Sequence, residues 1–276
     1  MTTTFSRGRF IWHELMTTDP DAAVGFYASV VGWGIHTWNR DQSYRMWMLE
    51  GDPKGGLTRL APEEQAVGTR PYWLPYVAVQ DVDATLRLAA ELGGRVAVEP
   101  RDVPTAGRLA VLVDHHGARF GVFRPAVEIP NADAVGRGEF VWHELTTPSR
   151  KEAWDFYRRL FGWERAGAVE LDGRGTYWMF RRRGSARPIG GVLDRAFDDG
   201  AAATWLCYVR VGNAARAAAA MEAARGTVMR GPTGAPGGGE FTAGHDPQGA
   251  AFAVHADRAP RGRPVKKRAS GRRKAR

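Results

Sequence analysis

The chain has 276 residues, 43% hydrophobic and 25% charged, the proportions of an ordinary soluble globular protein of about two domains. Its net charge of +9 belongs to one end, because the ten Lys or Arg from Arg258 onward meet no acid and leave 29 basic against 30 acidic residues in the rest. There is no run of ~18 apolar residues for a membrane span and no apolar core of a secretory signal in MTTTFSRGRF, and the single Cys207 allows no internal disulfide, so a cytoplasmic protein with no membrane partner is expected.

Residues 10–16 are aromatic and branched enough for a strand, and residues 20–31 have helical spacing through Ala23, Phe26, Tyr27 and Val30. Asp19 before Pro20 reads as an N-cap with proline at the first helical position, and Gly32 as the left-handed residue that ends the helix. Strands are expected over 43–49 and 55–60, a polar linker over 62–70, and a strand over 73–79. Asp81 then caps a helix through Val82, Leu86, Ala89 and Ala90 that stops at Gly93-Gly94. Strands follow over 96–98, 109–113 and 119–123, the last two joined by Asp114-His115-His116-Gly117.

The stretch 8–33 then begins again at Gly138. Trp12-His13-Glu14-Leu15 matches Trp142-His143-Glu144-Leu145, Phe26-Tyr27 matches Phe156-Tyr157, and Gly32-Trp33 matches Gly162-Trp163, at one ungapped offset of 130 residues. A period this long marks two similar folded units, not a solenoid. In the copy, Ser149 and Glu152 form a capping box signature. Strands over 176–180, 189–193 and 205–211, an alanine-rich helix over 214–224 and a closing pair around Asp246-Pro247-Gln248-Gly249 repeat the earlier order. The expected division is domain 1 over 1–128, a linker over 129–137, domain 2 over 138–257 and a basic tail over 258–276. Each domain is large enough to bury its own core. Strand-helix-strands written four times, with largely antiparallel sheets, predicts an α+β architecture.

These four βαβββ modules, the FY…GW phrase and the closing strands introduced by DxxG resemble the vicinal oxygen chelate superfamily of glyoxalase I, bleomycin resistance proteins and ring-cleaving dioxygenases. More narrowly, the chain is similar to tandem glyoxalase-like proteins with two domains in one polypeptide. The resemblance covers residues 8–256 and implies two cupped mixed sheets. In the metal enzymes of that superfamily, His or Gln on a module's first strand and Glu on its last hold a divalent ion. The matching first-strand positions here are Trp12, Leu74, Trp142 and Leu206, and the last-strand positions are Gly121 and Ala253. None of these can serve as a ligand, so no metal or other cofactor is expected at the family's site.

Side chains alternate across a strand. If Trp12 faces the cup, so do Glu14 and Met16, with Tyr76 on its own strand. By the same parity Trp142, Glu144 and Thr146 face the second cup with Tyr208 and Arg210. Each cup is then an aromatic bowl holding one carboxylate, suited to a small organic metabolite that offers a hydroxyl, amine or amide. The expected function is metal-independent binding of such a ligand. The alternative is a glyoxalase-like lyase or isomerase, or a dioxygenase, with an unrecognised divalent metal and Glu14 or Glu144 as base.

Plainer roles are assigned to other residues. His13 and His143 point away from the neighbouring glutamates and are expected to pack against a helix. His115 and His116 fall in an exposed turn, and His36, His245 and His255 receive no role. Cys207 reads as an inert core thiol, and the FY and GW residues as core. The glycine-rich segment 231–240 lacks the Lys-Ser/Thr ending of a phosphate loop and is expected to cover the second cup. The tail is expected to be disordered, with at most weak polyanion contact. The chain is expected to be a monomer or a homodimer.

Overall fold

The computed structural model describes residues 7–38, 44–127, 135–195 and 202–257. The expectations for the tail and for most of the interdomain linker lie outside these residues. The first half runs β1 (Phe10–Thr17), α1 (Pro20–Val30), β2 (Gly34–Thr37), β3 (Arg45–Leu49), β4 (Asp52–Arg59), α2 (Pro62–Ala66), β5 (Tyr72–Ala78), α3 (Val82–Glu91), β6 (Arg95–Val103), β7 (Gly107–Val113) and β8 (Arg119–Pro125). The second half runs β9 (Phe140–Thr147), α4 (Arg150–Phe161), β10 (Glu164–Leu171), β11 (Gly175–Arg181), β12 (Pro188–Asp194), β13 (Thr204–Arg210), α5 (Ala214–Ala223), β14 (Thr227–Gly234), β15 (Glu240–His245) and β16 (Ala251–Ala256). No helix among the described residues is long and apolar enough to cross a membrane.

Each half forms one eight-stranded sheet, in the orders β2-β3-β4-β1-β5-β8-β7-β6 and β10-β11-β12-β9-β13-β16-β15-β14. The sheets are mixed and curl into half-barrels. Two βαβββ modules meet in each sheet through the antiparallel pairs β1–β5 and β9–β13. Inside each module the first and last strands run parallel, as in β1–β4 and β5–β8. The α+β expectation is met. Strands β2 and β10 lack a strong alternation of apolar residues and are largely exposed edge strands, which is why sequence periodicity passed over them. The short helix α2 occupies the expected polar linker.

Helix boundaries follow the capping chemistry. Asp19 accepts hydrogen bonds from the backbone N–H groups of Asp21 and Ala22, and Gly32 adopts φ +91°. Ser149 accepts from the N–H of Glu152, but the Glu152 carboxylate does not complete the box. It reaches 3.0 Å from His116 Nε2 in the other half, so the turn, whose His115 is exposed as expected, also makes an interdomain contact through the half-buried His116.

The halves do not bury separate cores. One cluster joins Leu15, Phe26, Tyr27, Trp33, Trp47 and Trp73 of the first half to Cys207, Val209, Met221 and Phe252 of the second. The other joins Val77, Ala110, Phe120 and Val122 to Phe156, Tyr157, Trp163, Phe180 and Trp205. The helix-bearing face of each module thus packs on a module of the opposite half. Burying aromatic surface on this scale is the main stabilising term between the halves. The repeated motif residues stitch this contact. Trp33 Nε1 donates to Gly138 O at 2.9 Å, and Trp163 Nε1 donates to Gly8 O at 2.7 Å. Both copies are served by the same swapped bond.

Candidate functional site

The strand parity holds. His13 and Leu15 point into the interdomain layer while Trp12 and Glu14 point into the cup, where Leu74, Tyr76 and Val111 form a separate cluster with Trp12. In the second half Trp142 joins Tyr208, Phe241 and Ala253 in the same way.

At the floor of each cup the carboxylate is held by two tyrosines. Tyr76 OH donates to Glu14 Oε2 at 2.9 Å, and Tyr44 adds a second hydrogen bond. Tyr44 OH in turn accepts from Trp12 Nε1 at 3.0 Å. In the second cup Tyr208 OH donates to Glu144 Oε2 at 3.2 Å, Tyr177 bonds the same carboxylate, and Trp142 Nε1 donates to Tyr177 OH at 2.7 Å. The two networks are copies. Both glutamates are 9% exposed, and burial pushes both carboxyls above their usual range, against the lowering effect of the tyrosine hydrogen bonds. The tyrosine hydroxyls are pushed up by the same burial and by the neighbouring carboxylate.

Tyr44 and Tyr177 were missed by strand parity alone. They sit at matching places before Met46-Trp47 and Met179-Phe180, and that repeat was the available signal. Each crosses a glycine on the neighbouring strand. Gly56 pairs with Glu14 and Gly191 with Glu144, and a Cβ at either would collide with the tyrosine ring or hydroxyl. Small residues on β4 and β12 therefore make room for the second tyrosine of each pair.

The second cup opens into a cavity of about 340 Å³ lined by Trp142, Glu144, Arg187, Tyr208 and Arg210, with the segment 235–239 beside them. The glycine-rich stretch is thus divided. Its first part belongs to β14, and its tip covers the cup as expected. His255 Nε2 donates to Gly238 O at 2.8 Å and pins that cover, a role with no spacing signal around His255 to announce it. Arg210 lines the cavity with its guanidinium tied to Val135 O and to the Asp257 carboxylate. Thr146 pairs with Thr204 and Leu193 in the sheet and does not line the cavity. Met16 is half-buried, beside Thr58 and Tyr72.

Two regions of the chain, residues 9–122 and 140–254, match the profile of the Glyoxalase/Bleomycin resistance protein/Dioxygenase superfamily. The chain belongs to this superfamily. Among its relatives, proteins named "Putative glyoxylase CFP32" from Mycobacterium bovis and Mycobacterium tuberculosis are 31% identical over 253 residues, 91% of this chain and 95% of theirs. The anthracycline biosynthesis protein DauV of a Streptomyces species is 39% identical over 112 residues, 40% of this chain and 39% of its own. In fold, the chain is similar to the 2,3-dioxygenase LapB of Pseudomonas sp. KL28, with a TM-score of 0.64 at 13% identity over 92% of this chain and 93% of that one. It is also similar to the Mn(II)-bound glyoxalase of Novosphingobium aromaticivorans, with a TM-score of 0.63 at 16% identity over 92% and 85%.

The superfamily's divalent ion does not fit these cups. The first strands offer Trp12, Leu74, Trp142 and Leu206, and at the last-strand places Tyr76 lies directly over Gly121 while Tyr208 pairs beside Ala253. Glu14 and Glu144 are each already bonded to two tyrosines, and at the second cup Asp257 is paired with Arg210 and His255 with Gly238 O. Among the described residues no three ligating side chains converge in either cup, whereas such an ion takes three or more protein ligands.

Proposed function

We propose that the chain binds a small organic metabolite in the second cup, without a metal at the superfamily's usual place. The carrying observation is the Trp142–Tyr177–Glu144–Tyr208 network at the floor of the covered cavity. An aromatic wall with a few convergent polar groups is the usual build of a small-molecule site. A ligand hydroxyl, amine or amide donates to Glu144 in exchange for one tyrosine, and its flat body lies along Trp142. The relatives named for anthracycline biosynthesis make hydroxylated polycyclic aromatics the first class to test. The protein acts in the cytoplasm, as a monomer or a homodimer.

The test is tryptophan fluorescence quenching with a panel of hydroxylated aromatic compounds, on the full chain and on Trp142→Leu. Saturable quenching lost in the variant supports the reading. Binding that survives Trp142→Leu unchanged places the ligand elsewhere.

A second reading is an enzyme of the glyoxalase-like lyase, isomerase or dioxygenase kind, and one observation favours it. Burial raises the Glu144 carboxyl, which moves it toward the range of a general base. Turnover of any compound that quenches Trp142, abolished by Glu144→Gln with binding retained, would select this reading.

A further inference from the structure

The duplicated histidines meet. His13 Nε2 and His143 Nε2 lie 2.7 Å apart between the sheets, His13 stacked on Phe140 and His143 on Phe10, each at 3.6 Å between ring centroids. Cys207 is the cross-strand partner of His143 on β13, facing the same layer. The corresponding partner of His13 is Pro75, so the thiol breaks the pseudo-symmetry on one side only. One ring nitrogen of each histidine and Cys207 Sγ all lie within 4.8 Å of one another.

We propose that His13, His143 and Cys207 form a metal site between the two domains that takes a borderline thiophilic divalent ion of the Zn²⁺ class. Two imidazoles and a thiolate are the donors such an ion prefers, and bonds of about 2.0–2.3 Å place tetrahedral ligand atoms roughly 3.3–3.8 Å apart. The 4.8 Å span accommodates that spacing, and the His–His contact opens by roughly half an ångström. One ligand is already held in orientation. His143 Nδ1–H donates to Ile189 O at 3.1 Å, which leaves the Nε2 lone pair aimed at the site. His13 donates through Nε2 in the metal-free pair and moves that proton to Nδ1 on binding. The ion displaces one proton from the Cys207 thiol, and a fourth ligand that is hydroxide formed from water releases a second.

An entry path and a fourth ligand come from the same place. Both histidines line a cavity of about 230 Å³ between the halves, whose wall also carries Arg9, Arg182, Arg187 and Lys54, the last paired with Glu139 at 3.0 Å. The ion with one thiolate keeps one positive charge, and the basic wall favours water-derived hydroxide or a small anion as the fourth ligand. The site lies across the sheet from the cups and is separate from the metabolite reading. It ties β1 to β9 and β13, so its effect is to fasten the two halves together.

The test uses the full chain, stripped with chelator, and Co²⁺ as the spectroscopic probe. One equivalent of Co²⁺ should give visible d–d bands and a near-ultraviolet thiolate-to-cobalt charge-transfer band. Cys207→Ser should lose the charge-transfer band and weaken binding at least ~10-fold, since even outer-shell losses cost ~10–100-fold. His143→Gln should weaken binding to a similar degree, while His116→Asn keeps the spectrum. Near-ultraviolet circular dichroism confirms that each variant is folded. A second readout needs no variant: Zn²⁺ should slow alkylation of Cys207 by iodoacetamide in mild urea at least tenfold. No bands from the folded wild type, bands unchanged in Cys207→Ser, or alkylation unaffected by Zn²⁺ would each overturn the proposal.

Discussion

The Tyr157 hydroxyl donates to the Asp114 carboxylate at 2.9 Å, joining the FY motif of the second half to the DxxG turn of the first. The reverse pair, Tyr27 to Asp246, spans 3.3 Å. Each aspartate also accepts two backbone N–H groups of its own turn, at 2.8–2.9 Å for Asp114 and 2.9–3.0 Å for Asp246. Each tyrosine accepts from a tryptophan, Trp205 or Trp73. The motif tyrosine is therefore the hinge-pin of a Trp–Tyr–Asp relay that crosses the interface twice.

Tyr157→Phe should destabilise the chain by about 1–3 kcal/mol, because it leaves a buried carboxylate oxygen and a buried indole N–H without their partner. Tyr27→Phe should do the same, its loss falling on Asp246, whose carboxyl burial already pushes upward. Urea midpoints measure both. A midpoint unchanged in both variants would show that water replaces the hydroxyl at no cost.

An isolated first half, residues 1–137, should not give a stable monomer. It would expose Tyr27, Trp33, Trp47 and Trp73, which are at most 3% exposed in the whole chain. Gel filtration with circular dichroism should find either an unfolded chain or a dimer in which two first halves imitate the natural pair. A folded monomer with native tryptophan fluorescence would contradict the shared core.

How the sequence relates to these contacts can be argued from the same residues. Phe26-Tyr27 and Gly32-Trp33 were legible as a repeated core motif, and Asp114 and Asp246 as turn residues, because local spacing and capping write themselves into neighbouring positions. Their pairing across the halves was not legible. A duplication states that two units are alike and is silent on which faces meet, so the expectation of two separate cores failed on that point. His13 was correctly turned away from Glu14 by strand parity, yet the partner it met was its own copy. In the cups, parity located Trp12, Glu14, Tyr76 and their equivalents, but Tyr44, just before β3, and Tyr177, on β11, reach in over glycines. Nothing in a single strand's alternation signals that reach.

Acid should weaken the metal-free protein in a specific window. Burial pushes His143 down to about 3 from 6.5, and burial with the neighbouring His143 lowers His13 as well. The unfolded chain takes up protons near pH 6.5 while the folded pair stays neutral, so stability is full above that pH and is lost as pH falls below it. Glu14 and Glu144 act in the opposite sense. Their raised folded values mean that acidification down to about 4.5 adds stability. The double variant Glu14→Gln/Glu144→Gln lacks that compensation and should lose melting temperature more steeply than wild type between pH 6.5 and 4.5. Parallel curves for the two proteins would contradict one of the two assignments.

Chelation should leave the cup's affinity for its ligand unchanged, since neither Gly121, Ala253, Leu74 nor Leu206 offers a donor there. Fluorescence titration before and after exhaustive dialysis against EDTA measures this. Affinity lost on dialysis and restored by Mn²⁺, Fe²⁺ or Zn²⁺, in the Cys207→Ser background as well as in wild type, would put a metal back into the cup.

The two glutamates separate ligand binding from structural pinning. Glu144 lines the covered cavity, and its charged form is disfavoured by burial. Glu144→Gln keeps the shape and a carbonyl acceptor for one tyrosine but removes the charge, so binding of a ligand donor should weaken by about 1–3 kcal/mol. Stability should move the other way. A carboxyl whose folded value is raised is a net cost to the fold above that value, so the neutral amide should hold or raise the melting temperature at pH 7. Glu14→Gln should show the same thermal behaviour and leave the affinity of the second cup untouched, because its hydrogen bonds are confined to Tyr76 and Tyr44 in the first. Melting temperature and affinity measured on both variants decide between the roles. If the melting temperature falls in both and affinity per folded molecule holds, the carboxylates are pins for the tyrosines and the ligand is held by other groups.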